Sequence, residues 1–173
     1  MRTIRTRRQA LQIAAALAIA MLGLTACSNT ASPETRSASS SAATVTSIDG
    51  QQISLPAAGE PTAVFFFSVG CGECVGGVRS LGDAATLAGV SGGRFLAVDM
   101  DPRETKGTIT EFMKYVHAEH VPVAIDTGAV LAQRFSVAAL STVIVVDADG
   151  KVTFRGTDPS AEIITAELKK ARD

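Results

Sequence analysis

The sequence predicts an α/β domain built as a three-layer sandwich around a mixed central sheet. Strand-like apolar runs alternate with helical patterns from residue 62 onward, a hairpin precedes them, and a second hairpin with a final helix ends the chain. Alternation favours parallel strands joined by helices, whereas hairpins add antiparallel strands. The expected sheet is therefore mixed.

The predicted domain starts near Thr44 with a β-hairpin. Residues 44–48 and 51–55 alternate apolar and polar side chains on either side of Asp49-Gly50. An Asp-Gly pair between two alternating segments is a strong signal for a tight turn. We therefore expect two short antiparallel strands ahead of the main sheet.

Apolar runs predict the later strands, and turn residues separate them. The expected strands are Thr62–Phe67, Arg94–Asp99, 121–125, Thr142–Val146 and 151–155, with the turn 147–150 joining the last two. Thr62–Phe67 and Thr142–Val146 are almost wholly apolar, which is typical of strands buried on both faces.

Helical periodicity and capping residues predict four helices. The expected helices are 74–87, one that begins at Thr108, 129–135, and one from 158 to 171. In the second helix, apolar residues recur at helical spacing: Ile109, Phe112, Met113 and Val116. We interpret Thr108 with Glu111 as its capping box, and Asp158 as the cap of the last helix with Pro159 in the first turn.

The first 26 residues are predicted to be an export signal rather than part of the fold. Four arginines precede the apolar run 13–24, which is short for a membrane span but suits a signal-peptide core. The run ends in Leu24-Thr25-Ala26-Cys27, which resembles the lipobox of bacterial lipoproteins. This resemblance implies a mature protein that begins at lipidated Cys27, on the extracytoplasmic face of the cell membrane. An ordinary cleaved signal is the alternative, and the route of export stays open.

Residues 27–43 are predicted to be a disordered tether, followed by a single domain over residues 44–173. The tether is rich in Ser, Ala and Thr and has no apolar period. Removal of the signal lowers the formal charge from −1 to about −5, because four arginines leave with it. No basic patch remains, which argues against nucleic acid as a partner.

Cys71 and Cys74 are the predicted catalytic residues. They follow the apolar run 64–67 in the order strand, CxxC, helix, which places Cys74 in the first turn of a helix. Unpaired backbone N–H groups and the helix dipole favour a thiolate there, and a thiolate is the form that attacks a disulfide. The chain has three cysteines, so with Cys27 lipidated these two have only each other. A structural disulfide between them would close a tiny loop and stabilise little, so redox use explains the pair better.

Three segments together resemble the thioredoxin-like TlpA/ResA family of membrane-anchored or exported thiol–disulfide oxidoreductases. They are 65–74, Val98-Asp99-Met100-Asp101 and 137–150, and the resemblance covers roughly residues 44–171. It implies a thioredoxin sandwich with an added N-terminal hairpin. It also implies that Cys71 attacks the substrate and that Cys74 resolves the mixed disulfide.

The chain departs from this family at two positions. Gly70 stands where the family usually has a tryptophan, and Ser141 stands where it has a cis-proline that faces the disulfide. Leu140, Ser141 and Thr142 are the predicted substrate loop. A serine does not favour a cis bond as proline does, so we expect substrate recognition to differ here.

Glu73, between the two cysteines, is predicted to tune the thiol. A carboxylate beside Cys71 opposes a second negative charge and raises the pKa of that thiol. The disulfide then becomes harder to reduce, which makes the protein more reducing. The alternative is a side chain that points to solvent and has a weak, screened effect.

Metal binding is the alternative use of the two cysteines. A zinc site needs two further ligands, but His117 and His120 lie more than forty residues from Cys74 and are typical of a solvated helix end. The Sco copper proteins share the expected fold and use a CxxxC pair with a histidine near the last buried strand. This chain has CxxC, and Ala139 and Leu140 occupy that neighbourhood. We predict neither a bound metal nor an organic cofactor.

The sequence thus predicts a membrane-anchored, extracytoplasmic enzyme that reduces disulfides of exported proteins through Cys71 and Cys74. The expected partners are cysteine-containing exported proteins, the membrane itself and a membrane dithiol reductase that supplies electrons. A Sco-like copper chaperone that uses the same thiolates is the alternative function.

Overall fold

The computed structural model describes residues 42–89 and 93–173 of the 173-residue chain. The expected signal, Cys27 and residues 28–41 of the expected tether lie outside the described residues. Within the described ranges no helix is both long and apolar enough to cross a membrane.

The elements alternate much as the sequence predicts. In chain order they are β1 (Ala43–Thr46), β2 (Gln52–Leu55), β3 (Thr62–Phe67), α1 (Cys74–Ala88), β4 (Arg94–Asp99), α2 (Lys106–Tyr115), β5 (Val123–Ile125), a 3-10 turn (Thr127–Ala129), α3 (Val130–Arg134), β6 (Thr142–Val146), β7 (Val152–Thr157) and α4 (Ala161–Lys170).

A five-stranded mixed sheet forms the centre of the domain. Its strand order is β5-β4-β3-β6-β7. β3 pairs in parallel with β4, which pairs in parallel with β5, whereas β6 runs antiparallel to both β3 and β7. The predicted mixed sheet is confirmed.

The two faces of β3 explain the three layers. Ala63, Phe65 and Phe67 point into a core shared with α1, α2 and α4, while Val64 and Phe66 point into a second core with α3 and β2. Successive side chains of a strand point to opposite faces, so a strand buried on both faces must be apolar throughout. The apolar run Thr62–Phe67 is therefore the middle strand of the sheet.

The N-terminal hairpin is also confirmed, and it extends the edge of the main sheet. β1 and β2 pair antiparallel, with Ala43 opposite Leu55. Ser47 then forms a bridge with Ala124, and the Ile48 N–H donates to the Val123 carbonyl at 2.8 Å. The hairpin turn thus covers part of the edge of β5, which leaves fewer backbone groups of that strand unpaired.

Two predicted helix caps are wrong. α2 is capped by Thr105, whose Oγ1 accepts from the Thr108 N–H at 3.2 Å, so Thr108 lies inside the first turn. α4 is capped by Ser160 rather than Asp158. Asp158 instead follows β7 directly, its backbone is left-handed (φ 45°), and its N–H donates to the Ser141 carbonyl. In both cases another capping residue lay within three positions, and local sequence did not distinguish the two.

Close packing of α1 on the sheet places its first turn at the end of β3. Gly77 lies over the Phe65 ring, and a Cβ there would overlap the ring and come within 2.7 Å of the Asp158 carboxylate. Only a glycine permits this approach, because other residues would push the helix away from the sheet.

Candidate active site

Cys71 and Cys74 form a disulfide at the carboxyl end of β3. Their Cα atoms lie 5.4 Å apart, within the range that a disulfide spans. Cys74 is the first residue of α1 and is fully buried, whereas Cys71 is half-buried in the preceding turn. A backbone turn holds them together, since the Cys74 N–H donates to the Cys71 carbonyl at 3.0 Å. A substrate can therefore reach Cys71 more readily than Cys74.

Glu73 occupies the N-cap position of α1 but caps nothing with its side chain. The residue is exposed, and its backbone is already helical (φ −71°, ψ −26°). Its proposed influence on Cys71 therefore depends on through-space charge alone. The tuning role stays a prediction.

Replacing Glu73 with Gln is expected to lower the pKa of the reduced Cys71 thiol by about half a unit to one unit. The change removes a negative charge near the thiolate at nearly constant shape, and solvent screening keeps the effect modest. Thiolate absorbance against pH at low salt measures the shift. If Glu73→Gln leaves the pKa unchanged or raises it, the side chain points to solvent without effect.

The predicted substrate loop lies against the disulfide. Ser141 is buried, its Oγ–H donates to the Cys74 Sγ at 3.3 Å, and its backbone is left-handed (φ 59°). The Leu140–Ser141 peptide bond is trans. The loop therefore contacts the disulfide through a serine hydroxyl and not through a cis-proline. Thr142 turns inward, and its Oγ1 donates to the Ala139 carbonyl at 2.8 Å.

Leu140 borders an open cavity of about 370 Å³ beside the site. The cavity is lined by Ser68, Met100, Asp101, Pro102, Arg103 and Leu140. Leu140 is 38 % exposed, so part of this large apolar side chain is accessible at the cavity. The cavity thus combines an apolar side chain with charged groups beside the predicted substrate loop.

Replacing Ser141 with Ala is expected to make the disulfide harder to reduce. The hydroxyl donates to the Cys74 sulfur in the disulfide, and we expect it to stabilise the Cys74 thiolate of the reduced form more strongly, by about 1 kcal/mol or roughly fivefold in the redox equilibrium. Equilibration with glutathione measures the change. Ser136→Ala is the matched control, because Ser136 is exposed and also has a left-handed backbone (φ 53°). Equal constants for Ser141→Ala and the control would contradict the assignment.

Two carboxylates that the sequence analysis did not select lie next to the loop before Cys71. Asp99 ends β4 and is fully buried; its Oδ1 accepts from the Asp101 N–H at 3.0 Å, and its Oδ2 has no hydrogen-bond partner among the residues that the structure describes. Burial, with a smaller contribution from the neighbouring Glu104 carboxylate, raises the pKa of Asp99 to about 7. Glu104 itself accepts hydrogen bonds from residues 68–70.

Asp101 shapes the turn that follows β4. Its carboxylate accepts from the Arg103 N–H and side chain, and the Arg103 hydrogen bonds lower the pKa of Asp101 to about 2. This carboxylate is therefore ionised at neutral pH. It lines the cavity as a fixed negative charge paired with Arg103.

The two histidines do not approach the cysteine pair. His120 Nε2 lies 3.0 Å from the Gly82 carbonyl, in the second half of α1, and His117 is exposed. Across residues 42–89 and 93–173, no group of three or more His, Cys, Asp or Glu side chains is arranged to hold a metal ion. The cysteine pair thus has no additional protein ligand within this part of the chain.

Comparison with known proteins identifies the family. The Redoxin family model matches residues 29–172. The chain belongs to the Redoxin family. Membership of this family together with the Cys71–Cys74 disulfide makes it a thioredoxin-like thiol–disulfide oxidoreductase, as the sequence predicts.

A relative in Streptomyces lividans, "Mercury resistance operon ORF3", is 52% identical over 146 residues, which cover 80% of this Redoxin chain and 77% of the relative. Solved structures share the fold at lower identity. StoA from Bacillus subtilis has a TM-score of 0.63 at 18% identity, covering 73% of this chain and 95% of its own. The exposed lipoprotein thioredoxin of Streptococcus pneumoniae has a TM-score of 0.64 at 19% identity, and the match covers 75% of this chain and 98% of the pneumococcal chain.

Proposed function

We propose that this Redoxin-family protein is a membrane-anchored, extracytoplasmic reductase of disulfides in exported proteins. The observation that carries the proposal is the asymmetric cysteine pair. Cys71 is half-buried at the strand end, whereas Cys74 is fully buried and hydrogen-bonded by Ser141. This asymmetry suits an attacking thiol that meets substrate and a resolving thiol that acts only within the protein.

The proposed reaction is a two-step exchange. The Cys71 thiolate attacks one sulfur of a substrate disulfide, forms a mixed disulfide and releases the other substrate sulfur as a thiolate. The Cys74 thiolate then attacks the Cys71 Sγ, which releases the second substrate sulfur and closes the Cys71–Cys74 disulfide. Two electrons have passed to the substrate. Another dithiol, such as a membrane reductase, must return two electrons to the pair.

The direction of electron flow is testable in cells. Thiols of the full chain are trapped by acid and then alkylated with a mass tag. A reductase is expected to carry two tags, because its donor keeps Cys71 and Cys74 reduced. A pair held mainly as the disulfide would identify an oxidase and contradict the proposal.

The membrane anchor is proposed from the lipobox-like sequence Leu24–Cys27. A structural neighbour from Streptococcus pneumoniae is described as an exposed lipoprotein thioredoxin, which supports the same location for this chain. Cys27→Ala is expected to move the protein from the membrane fraction to the soluble fraction. An unchanged distribution would contradict anchoring through Cys27.

A second candidate function is the capture of mercuric ion by the reduced pair. The relative named for a mercury resistance operon favours it, because that chain is 52% identical to this one. Thiolates are soft ligands that suit soft metals, and two cysteines could bind Hg²⁺ with release of two protons. This candidate replaces copper as the metal alternative, since the described residues provide no histidine beside the pair.

Titration of the reduced full chain with Hg²⁺ tests this second candidate. Capture predicts loss of two titratable thiols per Hg²⁺, and Cys71→Ser should abolish the one-to-one stoichiometry. If the reduced protein binds Hg²⁺ no more tightly than free dithiothreitol does, mercury capture is contradicted and the reductase function remains as the proposal.

A further inference from the structure

The carboxylate of Glu104 accepts hydrogen bonds from residues 68–70, the loop that directly precedes the cysteine pair. Its Oε1 accepts from the Ser68 Oγ at 2.7 Å and from the Gly70 N–H at 3.3 Å, and its Oε2 accepts from the Val69 N–H at 2.9 Å. All three donors belong to the three residues directly before Cys71. Glu104 lies more than thirty residues away in sequence, between β4 and α2.

Two further hydrogen bonds lie within this loop: the Cys71 N–H donates to the Ser68 carbonyl at 3.0 Å, and the Gly70 N–H also donates to the Ser68 Oγ at 3.2 Å. Val69 is partly buried against the core, whereas Glu104 joins the loop to the segment between β4 and α2. Residues 68–70 lie between the end of β3 and the turn of the disulfide, and Gly70 is exposed. A glycine next to the attacking cysteine gives the backbone more freedom than any other residue would. Hydrogen bonds to an ionised carboxylate are about twice as strong as neutral ones, so this contact can restrict that freedom.

The fold supplies a rigid support for the carboxylate. β3 and β4 pair in parallel up to Phe67 and Asp99, so the loops that follow these strands leave the sheet side by side. The Met100 N–H donates to the Phe67 carbonyl at 2.8 Å and continues the pairing past the strand end. Thr105 then caps α2 directly after Glu104, which fixes the far side of the residue.

We propose that Glu104 is a positioning residue for thiol–disulfide exchange, which holds residues 68–70 so that Cys71 stays aligned with Cys74. This inference depends on the redox chemistry of the pair but not on its substrate. Alignment raises the effective concentration of one thiol toward the other, which favours closure of the disulfide. A loosened loop makes closure less favourable and slower, and the pair becomes more oxidising.

Glu104→Asp is the decisive variant, because it keeps the negative charge but withdraws the carboxylate from the loop. We expect the equilibrium constant for disulfide closure to fall by roughly tenfold, which is about 30 mV toward a more oxidising potential. Ser68→Ala removes the shortest of the three contacts and should shift the constant in the same direction by a smaller factor. Glu111→Asp, an exposed acid on α2, is the control and should match the wild type.

The measurement is equilibration of the detergent-solubilised full chain with glutathione, followed by mass-tag counting of thiols. Glu104→Gln separates charge from position: a shift in Glu104→Gln but not in Glu104→Asp or Ser68→Ala would mean that only the charge matters and would overturn the proposal. Constants within twofold of the wild type in all three variants would also overturn it. If Glu104→Asp does not fold, Ser68→Ala alone decides.

The equilibrium with glutathione is independent of the physiological substrate. A wild-type pair that cycles with glutathione but reduces no exported protein would contradict the proposed function and leave the role of Glu104 testable. If the Glu104 and Ser68 variants keep the melting temperature of the wild type while their equilibrium constant for disulfide closure shifts, a merely structural role is excluded.

Discussion

Cys74→Ser is expected to remain covalently attached to its substrates, whereas Cys71→Ser is expected to capture none. Cys71 is the accessible sulfur, so in Cys74→Ser it can still attack, but the buried thiol that would release the substrate is gone. Turnover should fall by about 100-fold or more in either variant, because an aligned internal thiol has a very high effective concentration. Non-reducing gels with mass spectrometry of the adducts measure the capture.

The double variant Cys71→Ser/Cys74→Ser serves as the control for non-covalent association. Adducts that vanish on reduction and occur only with Cys74→Ser support the assigned roles. Adducts that form with Cys71→Ser instead would mean that Cys74 attacks and Cys71 resolves.

Asp99→Asn is expected to stabilise the protein increasingly as the pH rises from about 4 to 8. Burial raises the pKa of Asp99 from 3.8 to about 7, so across this window the folded state keeps a proton that the unfolded chain releases. Stability of the wild type therefore falls as the pH rises through this range and levels off above the folded pKa. Asparagine does not titrate, so the variant lacks this fall.

The gain of the variant over the wild type should grow by on the order of 2 to 4 kcal/mol between pH 4 and pH 8, since one pKa unit corresponds to 1.36 kcal/mol. Asparagine also retains an oxygen that can accept from the Asp101 N–H. Denaturant unfolding of the oxidised protein at both pH values measures the difference, and Asp83→Asn, an exposed acid on α1, is the control. Parallel pH profiles for Asp99→Asn and the wild type would mean that folding does not raise the pKa of Asp99.

Local sequence was sufficient for the strands and for the cysteine pair. β3, β4 and β6 begin and end at the predicted residues. β3 and β6 are buried along their whole length and are almost wholly apolar, and β4 contains the apolar run 95–98 between Arg94 and Asp99. The order of strand, CxxC and helix is also a local pattern, and it places Cys74 at the start of α1 as expected.

Contacts between distant segments were not predictable in the same way. Glu104 meets residues 68–70 only because β3 and β4 are neighbours in the sheet, and nothing in the local pattern of residues 101–106 marks it. Asp99 could have been noticed as an acid at the end of a buried strand, but its complete burial next to Glu104 depends on three-dimensional packing. Ser141 was singled out by its position, yet its hydrogen bond to Cys74 required the backbone geometry of the loop.

The most direct test of the redox assignment is a titration of the full chain in glutathione buffers of graded potential, with mass-tag counting of the free thiols. Cys71 and Cys74 are expected to change together, from two tagged thiols to none, in one reversible two-electron transition that either cysteine variant abolishes. Two thiols that remain free in fully oxidised buffer, or a disulfide that strongly reducing buffer does not open, would contradict a redox-active pair.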